Sequence, residues 1–342
     1  MVTMPRSLIT IDLAAIRHNV GVLRGRLGAA ELWAVVKADG YGHGAVDVGR
    51  TAIAAGATAL GVATLGEALE LRRALPAARI ILLGPARSAE IAAARDAGLE
   101  LCLSAEPTPL DIPVHVKLDT GMGRWGLSEL AAPGSGVVGL MSHFATADTD
   151  PDFTELQLGR FLGATEPYAH LTRHIANSAA TLRHPASHLD AVRCGIALYG
   201  ISPFGTDPAD DGLRPALRWE STVSLVRTLA PGESTGYGRR FVAPVPTRIG
   251  IVPVGYADGF RRDMAGTDLF VAGEPAPVVG AVSMDALAVA LPDAAGEGDT
   301  VTLIGAGVPI EAHARVSGTI PYEIACGIVS QATRAEREIV GE

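Results

Sequence analysis

The chain has 342 residues, a formal net charge of −9, and 48% hydrophobic but only 5% aromatic residues. That length is two domains by default, its aliphatic bias supplies a large core rather than disorder, and its acidity argues against a nucleic-acid or anionic-membrane partner. No apolar block suits a signal peptide or a membrane span, so a cytoplasmic protein is expected, and three dispersed cysteines indicate neither zinc nor a disulfide framework.

Residues 1–12 contain a strand-like run expected to join a later β domain. A helix follows in "DLAAIRHNVGVLRGRLG", with Asp12 as its cap and Gly28 as its end. Eight short apolar runs then occur at 32–36, 59–63, 79–83, 99–103, 114–118, 137–141, 173–177 and 190–194. Runs this apolar suit parallel strands covered on both faces. With helices between most of them, they predict a (β/α)₈ barrel over residues 13–216. One such helix, in "TLGEALELRRALP", should stop before Pro76. Two outer helices are expected to be reduced to loops, because regions 104–113 and 128–136 are short and rich in proline or glycine. From 217 to 342, β-rich runs alternate with Gly/Pro/Asp turns, as in a mainly antiparallel β domain, with one short helix in "IEAHARVSG".

Of 28 basic residues only Lys37 and Lys117 are lysine. A guanidinium keeps its proton, whereas an amine can lose one and attack a carbonyl carbon or CO₂. Lys37 ends the first candidate strand, at the working face of such a barrel. A Schiff base with pyridoxal phosphate (PLP) there is beyond arginine, and the corresponding product at Lys117 is a carbamate.

The stretches "AVVKADGYGHGA", "VKLDTGMGRWG", "MSHFATAD", "ANSAATL", "VRCGIALYG", "GYGRRF", "VGYADG", "VSMD" and "TIPYEIAC" occur in that order. Together they resemble the signature stretches of the bacterial alanine racemase family, over about residues 7 to 334. That family combines a PLP-bearing barrel with a β domain and works as a head-to-tail homodimer. The resemblance implies that Lys37 carries the cofactor and is one of two catalytic bases. Tyr41 and Tyr322 would bind its phosphate with Asn177, Ser178, Gly195 and Ile196; strand ends that open helices suit such a dianion. Arg193 would face the pyridine nitrogen without protonating it, which weakens the ring as an electron sink and favours racemisation. Tyr237 of the partner subunit would be the second base, tuned through His143 and Arg193. Arg124 would hold the substrate carboxylate and be held by a carbamylated Lys117. Met284, Asp285 and Tyr256 would shape the substrate end from the partner.

The implied reaction is the interconversion of L- and D-alanine, supplying peptidoglycan. The alternatives are a racemase of serine or broader specificity, a PLP decarboxylase and a non-catalytic PLP-binding protein. Arg193 and the β domain oppose the last two. Ala281 stands where many members have an arginine near the substrate channel, whereas Arg262 matches a charged position of it. His184 and His188 in "HPASH" are read as ordinary, not as metal ligands.

Overall fold

The computed structural model describes residues 5–104, 111–130 and 132–341. The chain divides into two compact units, one of Ala15–Arg214 and one of Met1–Ala14 with Pro215–Glu342. Strand β1 (Leu8–Asp12) belongs to the second. Its last residue caps helix α1 (Leu13–Arg24): the Asp12 carboxylate accepts the Ala14 N–H at 2.8 Å, supplying an acceptor to a donor that has none within the helix.

All eight expected barrel strands are present. They are β2 (Glu31–Val35), β3 (Ala59–Val62), β4 (Ile80–Leu82), β5 (Glu100–Leu103), β6 (Val114–Lys117), β7 (Val137–Met141), β8 (Thr172–His174) and β9 (Ala191–Cys194). Each pairs in parallel with the next from β2 to β8, and β9 pairs in parallel with β2. The ring closes where the Asp190 N–H reaches Arg173 O at 3.1 Å and the Arg193 N–H reaches Ala176 O at 3.0 Å. Strand β8 is shorter than its apolar run because Asn177 turns away to cap a helix, accepting the Ala180 N–H at 3.0 Å.

Side chains alternate along a strand, so Trp33, Cys102, Met141 and Ala191 share one apolar cluster with Ala59 and Ile81. The same parity sends Glu100, His115, Lys117, Gly139 and Arg193 to that side. The outer helices are α2 (Ala45–Ala54), α3 (Leu65–Ala74), α4 (Ile91–Asp96), α5 (Pro151–Thr165) and α6 (Ser178–Arg183). Among the described residues no helix lies between Lys117 and Val137 or in 111–113, in keeping with the two reduced connections; the rest of the first, 105–110, lies outside the described residues.

The second unit adds β10 (Leu217–Thr222), β11 (Leu225–Leu229), β12 (Ser234–Thr235), β13 (Phe241–Val242), β14 (Thr247–Val252), β15 (Asp268–Val271), β16 (Glu274–Val279), β17 (Leu287–Ala290), β18 (Thr300–Ile304) and β19 (Glu336–Val340). Nine strands make one sheet in the order β11-β14-β17-β16-β15-β18-β10-β1-β19. Among the described residues of this sheet only the β1–β19 pair is parallel. Pro275 and Pro277 are tolerated in β16 because that half pairs with β15 alone, while Val278 and Val279 pair with β17. Helix α7 (Ile310–Val316) is the expected one, and α8 (Pro321–Gly327) is an addition.

Candidate active site

Lys37 stands one residue beyond β2, after Val36, and is exposed at the C-terminal mouth of the barrel. Behind it Ala38, Asp39, Gly40 and Tyr41 all have positive φ, at 53, 49, 62 and 54°. A left-handed turn built mostly from L side chains costs roughly 1–2 kcal/mol per residue, so something must hold it. The Ala38 N–H donates to Glu67 Oε1 at 2.7 Å, and the Ala45 N–H to Asp39 Oδ1 at 2.9 Å. Glu67 Oε2 accepts the N–H groups of Ala63 and Thr64 at 2.8 and 3.0 Å. The backbone after the lysine is thereby fastened to the start of α3.

That turn buries Tyr41 against β9. A Cβ on Gly195 would stand 2.4 Å from the Tyr41 hydroxyl, so a larger residue there would have to displace the tyrosine. Beside it Ser178 Oγ accepts the Gly195 and Ala197 N–H groups at 3.1 and 3.3 Å. Ile196 opens a buried 3₁₀ turn next to them. Tyr41, Asn177, Ser178, Gly195 and Ile196 are therefore grouped at one end of β8 and β9, as a polar cradle.

Arg193 is buried, 4% exposed. Its terminal nitrogens donate to Ser142 O at 2.7 Å, His174 O at 3.0 Å, Ile175 O at 3.2 Å, His143 Nδ1 at 3.0 Å and His174 Nδ1 at 2.6 Å. None of these bonds uses Nε–H, and among the described residues no carboxylate pairs with the guanidinium. Burial pushes Arg193 down to about 10, still a cation near neutrality. Burial, and then the charges of Arg193, Lys117, Arg124 and Lys37, hold the His143 imidazole well below its ordinary value. Those four cations, from three different stretches of chain, act on one neutral ring.

Lys117 is buried at the end of β6. Burial, with Arg193 and Arg124 nearby, pushes its ammonium down to about 8, which brings the free amine closer to neutral pH than in an exposed lysine. Trp125, not foreseen as a site residue, takes both neighbouring cations on its ring: Lys117 Nζ lies 5.4 Å and Arg124 Cζ 5.1 Å from the centroid. Asp119 shapes the loop between them by accepting the N–H groups of Gly121, Met122 and Gly123. Two other residues were not foreseen. His174 lies next to Arg193, and the Thr64-x-x-Glu67 spacing of a capping box was the available sign of Glu67.

Tyr237, Tyr256, Met284, Asp285 and Tyr322 belong to the second unit. Tyr256 and Met284 lie on adjoining turns, where the Ala257 N–H meets Met284 O at 3.0 Å. Asp285 accepts from Arg334 at 2.9 Å. Ala281 is buried behind the Tyr237 turn, its backbone within 3.2 Å of a Cβ placed on Gly236. Tyr237 and Met284 are 67% and 53% exposed, and Tyr322 sits half-buried in α8. Arg262 lines a hollow with Tyr256, Arg240 and Arg261.

A parallel eight-stranded barrel with basic and hydroxyl groups gathered at its C-terminal mouth is the class of fold that carries enzyme sites at that face. Family models for the alanine racemase N-terminal and C-terminal domains match residues 11–203 and 216–336. The chain is 42% identical to the alanine racemase of Laribacter hongkongensis, covering 97% of this chain and 98% of that one. It is 41% identical to the biosynthetic alanine racemase of Pseudomonas aeruginosa, over 95% and 97%. The crystal structure of alanine racemase from Streptomyces lavendulae matches with a TM-score of 0.90 at 34% identity, over 99% and 98% of the two chains. The chain belongs to the alanine racemase family and is an isomerase.

Proposed function

We propose that the protein interconverts L- and D-alanine with PLP, using Lys37 on one face of Cα and the partner subunit's Tyr237 on the other. The residues fit the cofactor. The Gly195 cradle with Tyr41 and Ser178 suits its phosphate, with Asn177 and Ile196 bordering it, and the family resemblance adds Tyr322. Lys37 is the amine beside it, and the Nε–H of Arg193 is a donor left over for the ring nitrogen. Bound there, PLP would supply a carbonyl to take the amino group and a conjugated ring to hold electrons when the α-proton leaves. Arg193 carries the reading. A cation that keeps its proton hydrogen-bonds the ring nitrogen but leaves it unprotonated, which opposes decarboxylase-like chemistry and favours returning a proton to Cα.

Lys37 takes or gives the α-proton on its face. His143 receives the Arg193 N–H at Nδ1, so its hydrogen sits on Nε2. That donor would hydrogen-bond the phenol oxygen of the partner's Tyr237 as the α-proton is taken or returned. Arg124 holds the substrate carboxylate, while Tyr256, Met284 and Asp285 bound the substrate. Lys117, as free amine, attacks CO₂ and releases one proton; the carbamate then places a negative charge among Arg124, Arg193 and Trp125. The exposed Tyr237, Tyr256 and Met284 support a homodimer that covers them. The name of the Pseudomonas aeruginosa relative supports a biosynthetic role, as D-alanine for peptidoglycan. Among the described residues no helix is long and apolar enough to cross a membrane, which accords with a cytoplasmic setting.

The test separates the two faces. Tyr237→Phe should slow inversion roughly hundred- to ten-thousand-fold while D-alanine still exchanges its α-proton for solvent deuterium. Lys37→Ala should remove the visible absorbance of the PLP-loaded protein. Equal loss of exchange and inversion in Tyr237→Phe would refute the division of labour.

A further inference from the structure

Barrel interiors of this kind are ordinarily filled by Val, Ile and Leu. Here a file of polar groups crosses the interior from the N-terminal rim to the mouth. Arg193 Nη1 lies 2.6 Å from His174 Nδ1, His174 Nε2 lies 3.0 Å from His115 Nδ1, and His115 Nε2 lies 2.8 Å from Glu100 Oε2. Both histidines are fully buried, and Trp33 covers them at ring distances of 4.4 and 5.5 Å. The chain makes room for the file: a Cβ on Gly139 would stand 2.1 Å from His115 Nδ1.

The file has one possible direction. Arginine can only donate, so His174 Nδ1 must carry a lone pair and its hydrogen must sit on Nε2. That hydrogen points at His115 Nδ1, which must then also be bare, leaving the His115 hydrogen on Nε2, toward Glu100. An ionised carboxylate only accepts, so both ends agree. Burial, the largest influence on both rings, holds them below their ordinary values, and so neutral. Glu100 is pushed down to about 2 despite its burial, by hydrogen bonds from His115 and Arg79. Two neutral rings and one acceptor-only terminus leave Arg193 a single bonding pattern.

We infer that Glu100 is a positioning residue for Arg193, acting through His115 and His174. It fixes both tautomers, and through them the plane of the guanidinium whose Nε–H is left for the cofactor ring. The inference rests on the assignment of Arg193 to that ring. A glutamine at 100 can donate as well as accept. It permits the reversed file, in which His174 would present Nδ1–H to an arginine N–H, donor against donor. The guanidinium would then lose one of its holds.

A purely structural role is the competing account, because Glu100 also takes two bonds from Arg79, at 2.6 and 2.9 Å, which in turn binds Glu31 at 3.0 Å. Arg79→Gln removes that ion pair and leaves the acceptor in place. The experiment compares wild type, Glu100→Gln and Arg79→Gln as PLP-loaded enzyme, by ring-nitrogen NMR of ¹⁵N-histidine-labelled protein and by steady-state kinetics. In wild type and Arg79→Gln, His115 and His174 should both be neutral with hydrogen on Nε2. Glu100→Gln should show mixed or reversed tautomers. Its kcat should fall roughly 10- to 100-fold, as when a partner behind a directly acting group is removed, with KM nearly unchanged. Hydrogen on Nδ1 of either ring in the wild type, or a charged ring, overturns the inference, and that measurement stands even if Glu100→Gln does not fold. So do identical tautomers and identical kcat in the two variants. Failure of the cofactor assignment reads differently, as missing visible absorbance in the wild type itself, and it would take this inference with it.

Discussion

In the barrel, Arg193 lies among carbonyl oxygens and imidazoles and meets a carboxylate only through two rings. In the second unit, Asp258, 1% exposed, is gripped directly. Arg6 makes two bonds to it, at 2.7 and 2.8 Å, Arg334 a third at 2.8 Å, and the Gly255 N–H a fourth at 2.9 Å. Arg6 precedes β1 and Arg334 precedes β19, so one carboxylate staples both ends of the chain to the turn at 255–258. Direct pairing satisfies a buried charge completely and leaves nothing over for a ligand. Indirect pairing holds a cation in place and keeps one donor available. The first arrangement serves stability, and the second serves a site.

The sharpest way to break that contrast is Asp258→Ala. Asp258 is buried whereas Arg6 and Arg334 are 35% and 28% exposed, so its removal forfeits charge-assisted bonds and leaves the Gly255 N–H without its acceptor, and a loss of about 2–3 kcal/mol is expected. Urea denaturation followed by circular dichroism measures it. A loss of about 1 kcal/mol or less would make the cluster an ordinary surface pair and end the comparison.

Buried histidines sharpen it further. His115 and His174 have both nitrogens engaged, whereas His313 has Nε2 without a hydrogen-bond partner in α7. Burial pushes His313 from 6.5 down to about 4. Its neutral form is the one the fold accepts, so its contribution is complete above pH 6.5 and is lost as pH falls toward 4. The linkage is worth about 2 kcal/mol by pH 5. His313→Phe, packed edge-on to Phe260, should therefore lose less stability than wild type between pH 7.5 and pH 5, by about that amount. Parallel pH profiles would show that the ring is not held neutral.

The barrel strands were legible because each is a short apolar run, and the reduced connections because proline and glycine left no room for a helix. Lys37 and Lys117 stood out by their rarity among arginines. The interior file did not. Glu100, His115 and His174 each look ordinary in a strand, and only the registers of β5, β6, β8 and β9 bring them into line. The left-handed turn at 38–41 was equally hidden, since "KADGY" has a single glycine and local preference opposes it; a carboxylate at position 67 decides the matter. Strand β19 was missed because its residues, Glu336, Arg337 and Glu338 among them, are charged and exposed at a sheet edge. Helix α8 had a sign in Pro321 at its first position.

Trp125 offers a third way to hold a cation, by an aromatic face, and the smallest expected effect. Lys117 is buried and Arg124 exposed, yet both sit over the same ring. With Lys117 carbamylated only the Arg124 contact keeps its cation, and it is worth about 0.5–1 kcal/mol. Trp125→Leu keeps an apolar side chain and removes the π-face, so it should loosen Arg124, the proposed carboxylate holder, while leaving the proposed bases Lys37 and Tyr237 in place. KM for alanine is expected to rise roughly two- to fivefold, the equivalent of that energy, with kcat nearly constant. Steady-state kinetics in both directions, at fixed CO₂, reads the split. A fall in kcat with KM unchanged would place the ring against the reacting atoms instead. The aromatic hold would then belong with the file behind Arg193, as part of the chemistry rather than of binding.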